Sequence, residues 1–574
     1  EPAPIDHDLT LDREAFETLI ARSTADYEPT HGGFGGAPKF PRQTLLEMLL
    51  VYARSAQDPQ LDRKLAHTLH AMADGGMRDH LGGGFHRYST DAKWLIPHFE
   101  IMLYDQAMLA TVYALGYRHF ENRRFAAVCR GICDFVLREM TDPAGCFYTA
   151  FDAEVDGYEG KNYLWKRDEV RQILGEADYA DFAEVYGLAD QPNFTDPHVG
   201  EDLPDHYVLH LPDGHSAETD ERFVAMRQKL LDARQKRKKP LLDTKIITAW
   251  NALMARGLAH AGKTLDEPRY VQAAAKAVHW LLENHYDAEK GLLYRTSRDD
   301  VARFAAFQED YAYLTWALLE LYDATGEQTY RDRAGHIARH MRQRFEDEQA
   351  GGFFFTDKEF TDLPVRQKVA GDTPLPGGNA VAAIVTLGLE EDGRTARKTL
   401  NALAGALDDH PGSMSTMIQA AILHDLRFGA LRVHGTTDKT GTRPPSLVEQ
   451  GRQALSVRGE WLSKTKLLIQ LQIKPGYHVN SDRVGTSMVA TELALTGDQA
   501  HLLQDVEYPL GEMTDFPFAE LPQRIYKDQA SLLVTLSAPP ANDILPMSLR
   551  YQACTNTACL PPVTMTFAVS TGRG

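Results

Sequence analysis

DPAGCF at Asp142–Phe147, YDAEKGL at Tyr286–Leu292 and FEDEQAGGF at Phe345–Phe353 are copies of one short signal. YEPTHGGF at Tyr27–Phe34 is a further copy, and LGGGF at Leu81–Phe85 is another that lacks the acid. Glycine suits a left-handed helix stop, and the apolar residue after it packs the returning chain against a wall. A second repeat marks the helix that follows. Asp105–Phe125 and Asp310–Tyr330 each span 20 positions with Tyr117 and Tyr322 both 12 residues on, and Asn251–Tyr270 is a near copy at 19. Apolar residues such as Ala317, Leu318, Leu321 and Tyr322 fall at helical spacing.

The repeating unit is therefore helix, Gly-aromatic stop, variable loop, helix. Helices beginning near residues 42, 98, 245, 308, 379 and 413 make six units. Six helical hairpins closed in a ring, an (α/α)6 toroid over residues 1–430, bury one core and place six loops at one mouth. An open α-solenoid is the competing arrangement, but solenoid repeats are more even in length than these. An insertion at about 176–243, containing the strand-like HYVLHL, precedes the third inner helix. Beyond a linker at 431–450 marked by Pro444 and Pro445, residues 451–574 change to period two. LLIQLQIKPGYHVNS, SLLVTLSAPP and LRYQACTNTACLPPVTMTFAV predict an antiparallel β-sandwich.

Composition agrees with two different domains. Leu431–Gly574 carries 13 basic and 13 acidic side chains, so the whole net charge of −19 lies in residues 1–430, with five of the six tryptophans. That charge repels polyphosphate, and the basic run Arg234–Lys239 is too short to bind nucleic acid. No apolar run approaches a membrane span, and mean hydropathy is −0.37. The first residue is Glu1 with no leader before it, which suggests that a signal peptide or upstream domain has been removed. HExxH, a Walker loop, a dinucleotide GxGxxG and GxSxG are all missing, so no metal or cofactor is expected. His67 and His70 lack a carboxylate at ligand spacing, and Cys129 and Cys133 read as buried thiols on one helical face.

The toroid loops are rich in groups suited to acid-base or sugar chemistry. GGGFHRYSTDAKWLIPHFE supplies His86, Arg87, Asp91, Trp94, His98 and Glu100 within 15 residues. Later loops add Asp152, Glu154 and Glu159, then Asp243, Lys245, Trp250 and Asn251, then Arg303, Gln308, Glu309 and Asp310, and finally Asp372 and Asn379. If the ring closes, they form an acidic, aromatic-lined cup of the kind a small carbohydrate or polyol needs. Each residue also has a plainer reading. Asp105, Asn251 and Asp310 sit at helix starts as caps, Arg87 and Lys245 serve as counterions, and Trp250 belongs to the core.

HGGFGGAPKFPRQTLLEMLL, GGGFHRYSTDAKWLIPHFEIMLYDQA, FDAEVDGYEGKNYLWK, DTKIITAWNALM and EDYAYLTWALLELYDATGE resemble the YyaL-type, thioredoxin-domain-containing family over residues 10–428. Such proteins normally begin with a thioredoxin-like domain, which this sequence lacks. Their remainder looks like six-hairpin glycosidase and N-acylglucosamine 2-epimerase toroids, which implies carbohydrate chemistry by analogy. The matching motifs nominate His86, Arg87, Asp91, Trp94, His98, Glu100, Asp152, Glu159, Lys245, Asn251 and Asp310. Pro374–Asn379 departs from the family, reading PLPGGN in place of a PSGN-like segment. YQACTNTACLPP at Tyr551–Pro562, with KPGYHVNS, resembles the N-terminal immunoglobulin-like domain of the thiol:disulfide interchange protein DsbD. That resemblance implies that Cys554 and Cys559 exchange electrons with a thioredoxin-like partner, and so an extracytoplasmic, periplasmic address. A purely structural disulfide or two free thiols are the alternatives.

Two functions follow as expectations. In an epimerase or isomerase, His86 or His98 removes a proton beside a sugar carbonyl and Arg87 stabilises the enolate. In a glycosidase, Asp152, Glu154 or Glu159 protonates the leaving oxygen and Asp310 activates water. Asp91, Trp94, Glu100, Glu159, Lys245, Trp250, Asn251, Asp372 and Asn379 would bind substrate. The alternative is a redox protein whose toroid is a non-catalytic, client-binding scaffold.

Overall fold

The computed structural model describes residues 8–194, 205–212, 220–298, 301–360, 365–433, 447–483, 489–516, 522–542, 544–555 and 559–571. The chain divides into two compact units, Glu1–Thr437 and Asp438–Gly574.

In the first unit the helices are α1 (Arg13–Ser23), α2 (Gln43–Ala56), α3 (Pro59–Asp74), α4 (Leu103–Phe120) and α5 (Arg123–Glu139). Then come α6 (Arg167–Leu174), α7 (Glu176–Val185), α8 (Glu221–Arg234), α9 (Thr248–Leu265) and α10 (Pro268–Asn284). The last are α11 (Gln308–Thr325), α12 (Gln328–Phe345), α13 (Gly378–Leu389), α14 (Arg394–Asp409) and α15 (Ser415–Phe428). Residues Leu103–Gly116 of α4 are buried without a break, whereas α10 buries only a stripe of Tyr270, Ala274, Ala277, Val278 and Leu281. A helix apolar on every side lies inside, and an amphipathic one covers it. The inner helices touch in the cycle α2, α4, α9, α11, α13, α15 and back to α2, so the ring closes. Gly257 permits the close approach of α9 to α4, since a Cβ there would fall 2.5 Å from the Ala107 carbonyl oxygen. The seam is fastened by Leu9–Leu11 pairing antiparallel with Leu431–Val433. Residues 431–433, expected in the linker, thus complete the toroid; Pro444 and Pro445 lie outside the described residues.

The repeated exit signal has a common structure. Tyr27 bridges Phe34, Arg78 bridges Phe85, Thr141 bridges Phe147 and Glu346 bridges Phe353, while Tyr286 pairs with Leu293. An acid turns each loop by accepting backbone N–H groups: Glu28 from Thr30 and His31, Asp142 from Gly145 and Cys146, Asp287 from Glu289 and Lys290, and Asp347 from Gln349 and Ala350. The LGGGF copy has its acid too, Asp79, placed before the glycines and accepting from Leu81 N. The buried apolar residue is then gripped by the next inner helix. Gln106 takes both the N–H and carbonyl of Phe85, Asn251 those of Phe147 and Asn379 those of Phe353, each at 2.7–2.9 Å. Tyr311 OH accepts from Leu293 N at 2.8 Å. The equivalent positions are thus Gln106, Asn251, Tyr311 and Asn379, one residue away from the Asp105–Asn251–Asp310 register expected from sequence.

The insertion begins earlier than the expected residue 176: α6, with α7 and α8, packs around a separate cluster of Trp165, Phe182, Tyr186, Tyr207 and Leu230. In HYVLHL, His206 bridges Phe194 and Tyr207 bridges Trp165, and Tyr207, Leu209 and Leu211 pack into this cluster.

The second unit is an antiparallel β-sandwich of immunoglobulin-like type. One sheet contains Leu455–Trp461, Lys466–Ile473, Gln529–Leu536 and Leu503–Glu507, and another contains Glu492–Leu495, Ile544–Tyr551 and Val563–Ser570. The period-two pattern turns Leu467, Ile469 and Leu471 inward with Leu532 and Val534, and Leu545, Met547 and Leu549 join the same core. A third sheet pairs His478 with Cys554, which forms a disulfide with Cys559.

Candidate functional site at the mouth of the helical ring

Short antiparallel pairings build the mouth. Tyr88–Ser89 pairs with Pro97–His98, and Ile101–Met102 pairs with Ala150–Phe151, which pairs with Leu242–Asp243. Arg87 N donates to the Glu100 carbonyl at 3.0 Å, and the Arg87 guanidinium meets the Glu100 carboxylate at 3.0 Å. His98 lies across from Tyr88, and Phe40, Tyr88 and His98 form a ladder of rings with centroids 4.6 and 5.1 Å apart. His98 Nδ1 donates to Glu159 at 2.8 Å, and its Nε2 lies 3.4 Å from Glu100. The Glu159 hydrogen bond raises the His98 pKa above the ordinary imidazole value.

Beside this network is a cavity of about 310 Å³ at the N-terminal ends of α2, α4 and α15. Its lining includes Phe40, Gln43, Arg87, Tyr104, Asp105 and Asp372. Tyr104 hydrogen-bonds Arg87 and packs edge-on against Trp250 at 4.8 Å; burial, followed by the Asp105 charge, pushes its phenol up to about 12. Asp105 is 3% exposed, and its Oδ1 accepts from Gln43 Nε2 at 2.7 Å. Its Oδ2 meets no hydrogen-bond donor among the described residues. Burial raises its pKa well above the usual carboxylate range. Asp372 accepts from Gly377 N and Thr416 N at 2.8 and 3.0 Å, capping α13 and α15, and burial pushes it up to about 6. Arg42 is held by Asp26 at 2.9 Å and by the Gly412 carbonyl.

Several residues expected in the cup are elsewhere. His86 is sealed at 2% exposure between Phe99 and Tyr163, with Nδ1 on the Phe99 carbonyl, and burial pushes its pKa down to about 4. Trp94 is fully buried with its Nε1 donating to the His31 and Gly32 carbonyls, so it fastens two loops and offers no open face for stacking. Asp91 turns its own loop by accepting from Lys93, Leu95 and Ile96 N. Asn251 and Asn379 are spent on the backbone clamps described above. Asp310 is fully buried and accepts from Ala249 N, Phe307 N and Arg295, so the capping alternative describes it; burial pushes it up to about 7. Asp152 and Glu154 are exposed, Asp152 accepting from Glu154 N, and Lys245 pairs with Asp243 at 3.0 Å. The ring therefore gathers Arg87, His98, Glu100, Glu159, Trp250 and Asp372 around Tyr104 and the cavity.

Gln43, Tyr104 and Asp105 were not nominated from sequence as site residues. Gln43 and Asp105 lie within the quoted stretches PRQTLL and LYDQA, but their helix-start positions suit capping equally well. Only their meeting across α2 and α4 distinguishes them. One turn further into α2, Glu47 forms a two-bond pair with Arg256 at 2.6 and 3.1 Å, joined by Gln419 and stacked under Trp316. These groups form a buried polar knot from four inner helices, in which Arg256 Nε alone meets no hydrogen-bond partner among the described residues and lies 3.9 Å from Glu320.

The fold and site define a six-hairpin helical toroid joined to a small β-sandwich with a disulfide. Residues 448–571 match the family described as thiol:disulfide interchange protein DsbD, N-terminal. The chain is similar to spermatogenesis-associated protein 20: it is 35% identical to the Rattus norvegicus protein over 414 residues, 65% of this chain and 52% of that one. The Homo sapiens protein is 34% identical over the same shares. The chain thus spans about half the length of the curated relatives it matches. Among solved structures, cellobiose 2-epimerase from Bacillus thermoamylovorans is similar over 72% of this chain and 98% of its own, at 10% identity and TM-score 0.47. The N-terminal domain of Neisseria meningitidis DsbD covers 23% of this chain and 91% of its own, at 22% identity and TM-score 0.18.

Proposed function

We propose that the helical unit takes a small neutral polyol or carbohydrate into the cavity beside Tyr104, and that the β-sandwich exchanges its disulfide with a thioredoxin-like partner outside the reducing cytosol. The cavity carries the first part. Its two arginines are already paired, Arg42 with Asp26 and Arg87 with Glu100, burial raises Asp105 well above the usual carboxylate range, and Asp372 is spent on the Gly377 and Thr416 N–H groups. A pocket with aromatic rings, amide and hydroxyl groups and little unpaired charge suits hydroxyl-rich ligands. The test is calorimetric titration with a panel of mono- and disaccharides and acyclic polyols. Binding is expected, weakened about tenfold or more by Arg87→Ala; a panel without any ligand overturns the reading.

The catalytic steps expected from sequence lose their parts. His86 is sealed, His98 has both ring nitrogens engaged, and Asp310 is closed off, which favours the second reading of the ring as a binding scaffold without turnover. Solvent deuterium entering a bound aldose or ketose beside its carbonyl would overturn that second reading. For the disulfide, Cys554 is buried and Cys559 half-buried. A partner thiolate attacks Cys559 Sγ, a mixed disulfide forms, and Cys554 leaves as thiolate. Cys554→Ala is expected to trap a thioredoxin-like partner through Cys559. Failure to trap one, with a disulfide that survives mild reductant, would leave the bond structural.

A further inference from the structure

We infer that Phe40 is the stacking platform of the cavity and selects a single pyranose ring, whose C–H face lies against the free face of the Phe40 side chain. This deepens the polyol reading and rests on it. Phe40 lines the cavity and is 45% exposed, although one of its faces is covered: Tyr88 stacks on it with centroids 4.6 Å apart and ring planes inclined by 29°. Among the described residues its ring meets no other ring and no cation, and Arg42, two residues on, lies over Phe34 instead.

One exposed apolar side chain is ordinary on a protein surface. What sets Phe40 apart is how firmly it is held beside a cavity. Just before it, Lys39 N donates to the Ser89 carbonyl at 2.7 Å and Ser89 N to the Lys39 carbonyl at 2.9 Å. The fully buried Lys39 ammonium is fixed in turn by the Ala92 carbonyl and by Glu28. Just after it, Pro41 restricts the backbone where the chain turns into α2. Behind it, Tyr88 stacks on His98 at 5.1 Å, and Glu159 holds His98. A ligand that stacks on Phe40 therefore finds the ring already ordered, which lowers the cost of association.

The platform and the cavity together define the ligand. A volume of about 310 Å³ is at the small end of ligand pockets and takes one sugar ring rather than a chain of them. A pyranose carries C–H groups on a flat face and hydroxyls around its edge. The face suits an aromatic ring, and the edge suits the polar groups of Gln43, Arg87 and Ser413 elsewhere in the lining. An alditol with the same hydroxyls has no flat face and loses the freedom of its chain on binding.

Calorimetric titration of the whole chain tests this by comparing the methyl pyranosides of glucose, galactose and mannose with the alditols of the same sugars. At least one pyranoside is expected to bind about tenfold or more tightly than its alditol. Phe40→Leu, which keeps an apolar side chain on Tyr88, should weaken that pyranoside about tenfold and leave the alditol within about twofold, and Phe40→Tyr should keep the wild-type preference. In saturation-transfer NMR, irradiation of the aromatic protons should reach the ring C–H protons of the pyranoside, with a signal that falls in Phe40→Leu. Pyranosides and alditols that bind alike, or a Phe40→Leu variant that keeps pyranoside affinity or loses both classes equally, would overturn the platform and leave the polyol reading standing. If neither class binds, both fail.

Discussion

Asp105 and Asp310 are the third residues of α4 and α11, two copies of one repeat, and they have opposite fates. Asp310 accepts from two backbone N–H groups and an arginine, and it ties the start of α11 to the start of α9. Asp105 accepts from one glutamine and keeps its second oxygen buried without a donor among the described residues. Identical residues at identical helical positions thus serve as a structural knot in one hairpin and as a sparsely partnered buried acid in the other. The distinction lies in the number of donors supplied by neighbouring segments. The hairpin Leu292–Arg298 and Val301–Ala305 brings Arg295 to Asp310, and among the described residues no arginine is hydrogen-bonded to Asp105.

That contrast can be broken most visibly in stability. Asp310→Ala leaves Arg295 without one buried partner and two backbone donors uncapped, so chemical denaturation should show a loss of about 3–5 kcal/mol. Asp105→Asn keeps the Gln43 bond and should cost less than about 1 kcal/mol. Equal losses at the two positions would remove the distinction. Next in size, Asn251→Leu or Asn379→Leu strands the N–H and carbonyl of Phe147 or Phe353, an expected loss of about 2–3 kcal/mol in the same assay, with no effect on sugar affinity. A selective loss of affinity would return these residues to the site. Gly257→Ala pushes a methyl toward the Ala107 carbonyl and should lower stability by about 1–3 kcal/mol, most clearly as a lower thermal midpoint.

The smallest effect concerns pH. His98 has a folded pKa above its unfolded value of 6.5, so its contribution is complete below that value and fades as pH rises through the folded one. Urea unfolding of the wild type against Glu159→Gln between pH 5 and 9 should show a difference largest at the acid end, of about 1 kcal/mol or less for this partly exposed pair. A difference that grows with pH would mean that His98 is neutral in the fold.

Much of the ring was legible. The glycine-aromatic exits and the helical spacing placed the inner helix starts at 42, 98, 245, 308, 379 and 413, against observed starts of Gln43, Leu103, Thr248, Gln308, Gly378 and Ser415. The site was less so. Trp94, Asp91 and His86 crowd one loop with chemistry-bearing side chains, yet that loop must bury its own polar backbone, and these residues do that. The repeat was misread by one position at Asn251 because the clamp varies among Gln, Asn and Tyr, side chains of different length performing one hydrogen-bonding task.

Local sequence was sufficient for whatever depends on neighbours along the chain: helix period, acid-turned loops, and the two-residue alternation that turns Leu467, Ile469 and Leu471 to one face. The exit glycines, expected as left-handed helix stops, instead take positive φ inside the loops, after caps such as Thr24, Met140 and His285 that are not left-handed. Ring closure decided the rest. A carboxyl group at a helix start is a cap, an ion-pair partner or a lone acid according to which donors arrive from segments distant in sequence. Those donors, Gln43 for Asp105 and Arg295 for Asp310, are assigned only when the helices pack.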